Sequence, residues 1–413
     1  MLVEWRDRIA RGEVSAREAV AAWARRLVQV DARTNCIAEH DPERALAAAG
    51  HLDDVFVRSG PVLPLHGVPF TVKDWIDVDG MRCTGGMTHH RDRRPARDAT
   101  VVARLKNAGA VVVAKTVVQV ESELGGVVRN PHDPDRSPGA SSSGEAAAVG
   151  GGGSLLGVAS DSGGSIRLPA AWCGAAGLKP TAGLVPTTGH FPRVGDRGDG
   201  RSQIGPIASS AADVAVVLPL LAGPDGIDPG LAPVAVGAAD DVSLAGLRVA
   251  RSAPDADWPA GSQVDAAVDA AVRAVTDRGA TRVDDVDLRL GLALDITQRY
   301  WSRVRLTGAE CDQQLRDWDH FRWSLTRACE GVDVIIAPTT VDVAPLHRPM
   351  AGEDYVFTLP ASLTGWPAVN APLHHDGALP IGVQVIARPW RDDVALAVAA
   401  VVETPSCADD LDE

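Results

Sequence analysis

The residues of this chain that could do covalent chemistry are serines set among glycines, together with very few lysines. More than half of the stretch GASSSGEAAAVGGGGSLLGVASDSGGSIR, residues 139–167, is glycine or serine. Lysine occurs only at Lys73, Lys106, Lys115 and Lys179. Arginine stays protonated, so any amine that acts as a base is one of these four. Serine is a poor nucleophile at neutral pH and needs a base within hydrogen-bond reach. Lysine can be that base when burial among apolar groups lowers its pKa enough to leave it neutral. Lys73, in GVPFTVKDWIDV, lies in a largely apolar strand of the required kind, and Lys115, in AVVVAKT, is a rival on the same grounds.

The familiar serine motifs fail in turn. DSGGS invites comparison with the GDSGG of trypsin-like proteases, which would make Ser162 the nucleophile, but Ser160 stands where the first glycine should. No G-x-S-x-G elbow and no S-x-x-K is present. A phosphate-cradling loop needs a lysine after its glycines, and none follows. A flexible linker is the bland reading of GGGGS. Yet Glu145–Val149 is helix-prone, SLLGVA (154–159) reads as an apolar strand and IRLPAAWC (166–173) is core-like, so the stretch is expected inside the fold.

Metal chemistry is not expected. The cysteines Cys36, Cys83, Cys173, Cys311, Cys329 and Cys407 form no C-x-x-C pair, and Cys173 reads as packed core. The pairs His89-His90 and His374-His375 have no further ligand at a helical spacing and read as solvated loop residues. A net charge of −14 argues against nucleic acid and anionic membranes as partners, since phosphates demand a basic surface. No apolar run is long enough to span a bilayer and the N-terminus lacks a signal peptide, which makes a cytoplasmic protein the expectation.

The elements that must position these residues alternate along the chain. Ser15-Ala16-Arg17-Glu18 is a capping box for a helix ending near Val30, and Asp41-Pro42 starts another. VPFTVKD is a strand. Asp98 is a candidate cap for a helix through LKNAG with Gly109 at its end, and VVVAK follows as a strand. Beyond the Gly/Ser stretch come the helix SSAADVAVVLPLLAG, the strand LRVAR, a helix from Ser262 to Gly279, the strands DVIIAP, PAVNAPL and IGVQVIA, and the helix DDVALAVAAVVE. Such alternation predicts an α/β fold with a large mixed, mostly internal β-sheet layered between helices. Gly189–Arg201 and Gly223–Ala239 read as surface loops. Residues 1–403 are expected as one domain and 404–413 as a flexible acidic tail.

GVPFTVKD, SPGASSSGEAAA and SDSGGSIRLPAAWCGAAGLKPT, in that order, resemble the consecutive signatures of the amidase signature family. RGEVSAREAV, QIGPIASSAADVAVVLPLLAGPD, VDVIIAPT and TGWPAVNAPLHHDGALPIGVQVIA extend the resemblance over most of the chain. The resemblance implies the fold of that family and a Ser-Ser-Lys triad: Ser165 as nucleophile, Ser141 as bridging serine following a cis peptide bond, and Lys73 as general base. It implies an oxyanion hole from the backbone N–H groups of Ser162, Gly163, Gly164 and Ser165, with Asp161 and Arg167 bracing the loop. Ser142 is a candidate cap for the helix that follows, and Lys115 and Lys179 read as structural. The implied activity is hydrolysis of a small or medium carboxamide to a carboxylate and ammonia or an amine through an acyl-enzyme, without cofactor. The alternatives are the A-type subunit of a glutamine-dependent amidotransferase, which works with partner subunits, and a non-catalytic binding member of the family. The protein's own partner is then a small-molecule amide, and a homo-oligomer is compatible with the sequence.

Three departures bear on this. PGASSSG carries Ala140 and Ser143 where the family pattern has glycines, the loop ESELGGVV is short, and the region from about Gly223 to Glu330 is compact. Walls facing the substrate come largely from such parts, so the resemblance does not transfer specificity.

Overall fold

The Ser15 hydroxyl accepts from the Glu18 N–H at 3.1 Å and the Glu18 carboxylate accepts from the Ser15 N–H at 2.9 Å, so the capping box starts the helix Ala16–Thr34. That helix runs past Val30 and stops only at Asn35, which takes the left-handed conformation. Asp41 caps Pro42–Ser59 through the Arg44 N–H at 3.0 Å. The expected Asp98 cap is not made. The helix Thr100–Asn107 begins after Ala99, and the Asp98 carboxylate instead accepts from the Asp79 N–H and Lys106 Nζ, at 2.8 and 2.6 Å. The computed structural model describes residues 1–61, 63–193, 201–374 and 378–403; His375, Cys407 and the acidic stretch 404–413 lie outside the described residues.

One sheet of 11 strands organises the molecule. From one edge its order is Ile37–His40, Val111–Thr116, Pro69–Lys73, Leu156–Asp161, Gln203–Ala208 and Ala176–Lys179. The second half continues through Ala368–Leu373, Ile381–Ala387, Val334–Pro338, Arg248–Arg251 and Thr281–Arg282. Pro69–Lys73 is parallel to both its neighbours, whereas Leu156–Asp161 runs antiparallel to Gln203–Ala208, so the sheet is mixed. Side chains alternate across it. Val158 belongs to the cluster that packs Ala211–Leu221, Ser262–Thr276 and Asp392–Val402, while Ala159 joins the cluster under Ser143–Gly150 and Arg167–Cys173. Helices thus cover both faces, as the α/β reading requires.

Two further helices, Leu290–Trp301 and Gly308–Ala328, fill the later part of the compact region, for which the pattern above names no element. The second opens on a capping box of Thr307 and Glu310. The Gly/Ser stretch is core: between 139 and 167 only Gly150, Gly151, Ser162 and Ser165 are not buried, and none is exposed. Surface placement of Gly189–Arg201 is corrected at two of its described residues. His190 is only 8% exposed and Arg201 only 1%, because each turns into the protein against the sheet or its helices rather than outward.

Candidate active site

Lys73 ends the strand Pro69–Lys73 in the middle of one half of the sheet and is fully buried. Its Nζ lies 2.8 Å from Ser141 Oγ, 2.9 Å from Ser142 Oγ, 3.2 Å from Ser160 Oγ and 3.4 Å from the Ser160 carbonyl. The Trp75 ring closes the other side, with its centroid 4.3 Å from Nζ. Burial pushes the Lys73 pKa down to about 7, against the pull of Asp161 and Glu145 in the other direction. Glu145 answers to the same burial, which raises it to about 8, and its carboxyl receives the Thr71 hydroxyl at 2.6 Å. An amine in this setting carries a usable lone pair near neutrality.

Ser141 follows a cis peptide bond with Ala140. Its carbonyl accepts from the Gln119 N–H at 2.9 Å, and that of Ala140 accepts from the Tyr355 hydroxyl at 2.9 Å. Ser142 stands at the cap position of Ser143–Gly150 but makes no capping bond. Its hydroxyl is turned instead to Lys73 and to the Ser160 carbonyl, at 2.9 and 3.3 Å, because the buried amine lies within its reach. Of the two glycine replacements, Ser143 gains a partner, burying its hydroxyl on the Gln119 carbonyl. Gly144 is held by crowding, since an added Cβ would sit 2.6 Å from the Val117 backbone.

The turn Ser162–Ser165 links the strand Leu156–Asp161 to the helix Arg167–Cys173. Asp161 braces it: the carboxylate accepts from the N–H groups of Gly164 and Ile166 at 2.7 and 3.1 Å and from Arg167 Nε and Nη2 at 3.0 and 3.1 Å. Burial works against the Asp161 charge, yet Arg167 beside it holds the pKa below the usual carboxylate value. Arg167 also reaches the Thr358 carbonyl, Gln384 and Ser362, so this buried pair is fully hydrogen-bonded. One of the four expected oxyanion donors is thereby committed elsewhere, since the Gly164 N–H points at Asp161. The N–H groups of Ser162, Gly163 and Ser165 have no hydrogen bond among the described residues, nor has Ser165 Oγ, which is half-buried. Gly164 has φ of 130°, and a Cβ there would lie 2.1 Å from Thr358 Oγ1.

The other candidates separate cleanly. Lys115 donates to the Ile76 carbonyl at 2.5 Å and lies 3.7 Å from Asp74. Lys179 donates to the Pro180 carbonyl at 2.9 Å. Cys173 is fully buried and burial pushes its thiol pKa up, away from a reactive thiolate. His89 is exposed, His90 packs edge-on to Phe191 at 4.9 Å, and His374 lies by the Gly174 carbonyl. Among the described residues no three His, Cys, Asp or Glu side chains gather as a metal site, and no helix is long and apolar enough to cross a membrane.

Sequence reasoning missed Tyr355 and Thr358, which hold the serine loops from about 200 residues away, Gln384, which accepts from the bracing Arg167, and His190, whose Nε2 lies 2.9 Å from Ser160 Oγ. Only His190 carried a local signal: it lies between Gly189 and an aromatic residue in an otherwise polar loop.

Comparisons with known proteins show what the chain as a whole is similar to. The Amidase family model matches residues 18–303 and 302–396. The chain is 30% identical to AtzE, a component of 1-carboxybiuret hydrolase from Pseudomonas sp. (strain ADP), over 98% of each. It is 32% identical to the A-type subunit of glutamyl-tRNA(Gln) amidotransferase from Thermus thermophilus, over 96% of this chain and 95% of that one. A solved structure from a vestigial protein complex, described as revealing the origins of an s-triazine catabolic enzyme, superposes with a TM-score of 0.89. That pair is 29% identical over 98% of this chain and 100% of the other.

Proposed function

The chain belongs to the amidase signature family of amide-hydrolysing enzymes, and from that premise we propose that it cleaves a small or medium carboxamide through Lys73, Ser141 and Ser165. One observation carries the reading. A fully buried lysine, its pKa brought down to about 7, lies 2.8 Å from a serine hydroxyl and 3.4 Å from the Ser160 carbonyl, two residues ahead of the glycine turn that presents another serine.

Neutral Lys73 takes the proton of Ser141, which in turn takes that of Ser165 as Ser165 Oγ attacks the amide carbon. The tetrahedral oxyanion is received by the N–H groups of Ser162, Gly163 and Ser165, with Gly164 given over to fixing the turn through Asp161. Collapse breaks the C–N bond and the relay returns the proton to the leaving nitrogen. Water then hydrolyses the acyl-enzyme by the same route. Ser165 and Ser141 share no hydrogen bond here, and the relay forms as the site tightens on substrate. The relay itself calls on no group outside the chain.

The test is labelling with a fluorophosphonate probe, read by intact mass. Wild type is expected to take one adduct and Ser165→Ala none; a well-folded wild type that stays unlabelled would reject the reading. A second reading, an amidotransferase component that draws ammonia from glutamine in a complex, is favoured by the 32% identity to the Thermus amidotransferase chain. It predicts that labelling or glutaminase activity appears only with partner subunits.

A further inference from the structure

Lys73 is ringed by more hydroxyls than one amine can serve in the same way, and this surplus determines where its lone pair points. A neutral amine offers two N–H donors and one lone pair. Ser141, Ser142 and Ser160 all lie within 3.2 Å of Nζ. The Ser142 hydroxyl donates to the Ser160 carbonyl at 3.3 Å, so towards Lys73 it can only accept. Ser160 is governed by His190. The Nδ1 of this buried ring lies 2.6 Å from the Pro192 carbonyl and its Nε2 lies 2.9 Å from Ser160 Oγ. A carbonyl oxygen only accepts, so Nδ1 carries the proton and the Nε2 of the neutral ring accepts from Ser160. Ser160 therefore also meets Lys73 as an acceptor. With both N–H groups taken by Ser142 and Ser160, the lone pair is left facing Ser141.

Resting on the reading of Lys73 as the base, we infer that His190 is a positioning residue: by holding the Ser160 proton it aims the Lys73 lone pair at Ser141. Protonation of His190 reverses the arrangement, because the ring then donates to Ser160 Oγ and turns the serine proton onto the amine. The charged groups acting on Lys73 are Asp161 and Glu145. Around His190 lie the Trp75 ring at 5.9 Å and, on its own loop, Phe191 beneath the Asp77–Arg93 ion pair. His90 packs on the same Phe191.

The experiment measures fluorophosphonate labelling rates against probe concentration and pH for wild type, His190→Leu, His190→Gln and Ser160→Ala. His190→Leu is expected to label about tenfold more slowly at saturating probe, with the half-saturating concentration unchanged, the scale of one misdirected hydrogen bond. His190→Gln, whose amide oxygen can accept from Ser160, recovers most of the rate. Its fall below neutral pH follows one proton, where wild type follows two. In the Ser160→Ala background, His190→Leu adds no further loss, since the histidine acts through that hydroxyl. If His190→Leu does not fold, the proton count of His190→Gln decides. A labelled wild type whose His190 variants match it in rate and pH profile overturns the inference alone. A wild type that takes no label overturns the reading of Ser165 on which it rests.

Discussion

Lys73 and Lys179 make a natural experiment within one molecule. Both are fully buried, both end a strand of the same sheet, and burial brings both pKa values down to about 7. Their surroundings differ in kind. The Nζ of Lys179 meets the Pro180 carbonyl, an oxygen with no proton to give, while Arg167, Asp161 and Asp392 act on it electrostatically. The Nζ of Lys73 meets three hydroxyls. Desolvation therefore yields a neutral amine in both places, and only at Lys73 is there a proton in reach to take. A depressed pKa marks burial; a neighbouring hydroxyl is what the proposed base has and Lys179 lacks.

Exchanging each lysine for methionine sharpens the contrast most. Lys73→Met should slow fluorophosphonate labelling by about 10²–10⁴-fold, the range of a lost general base. Lys179→Met should leave the rate unchanged while altering the melting temperature; a comparable loss in both variants would erase the distinction. Next comes pH. Labelling of wild type should rise towards a midpoint near 7, where Lys73 loses its proton, more steeply than tenfold per unit because the His190 proton is lost as well, and Lys179→Met should keep both the midpoint and the slope. The sign for stability follows from linkage. Each folded lysine releases its proton near 7 whereas the unfolded chain holds it to 10.5, so both contributions penalise folding at low pH and lift as pH rises between those values. A denaturation series from pH 7 to 10 in the two single variants, each expected to flatten that rise, measures them. The smallest effect belongs to Ser142→Ala, which removes one acceptor from Lys73: labelling should slow about two- to tenfold, as for a single neutral hydrogen bond.

What the sequence disclosed follows from range. Signals confined to four or five residues were readable: the Ser15–Glu18 box, the Asp41-Pro42 start and the apolar strand ending at Lys73. The Thr307–Glu310 box was equally local and passed unread, and with it the helix Gly308–Ala328. Leu290–Trp301 had no such signal, for it starts at Arg289 in a left-handed conformation without a capping side chain. Asp98 had the right residue type for a cap but found the Asp79 N–H and Lys106 first. At the site, motif order pointed to the residues on consecutive segments. The groups that hold the loops, Tyr355, Thr358 and Gln384, reach the same place through tertiary folding and no spacing in the chain announces them, while His190 showed only a glycine before it and an aromatic residue after it.

Arg167 adds an order in time. Its guanidinium joins Asp161 beside the nucleophile turn to the Thr358 carbonyl, Ser362 and Gln384, partners between 191 and 217 residues further along. During synthesis the turn, its aspartate and its arginine emerge long before those partners exist. Until residues 358–384 have docked, the arginine has Asp161 alone among these acceptors and the turn lacks the Thr358 contact at Gly163. A growing chain therefore carries Ser165 in an unfinished setting, and the strand Ile381–Ala387 brings the final acceptor, Gln384.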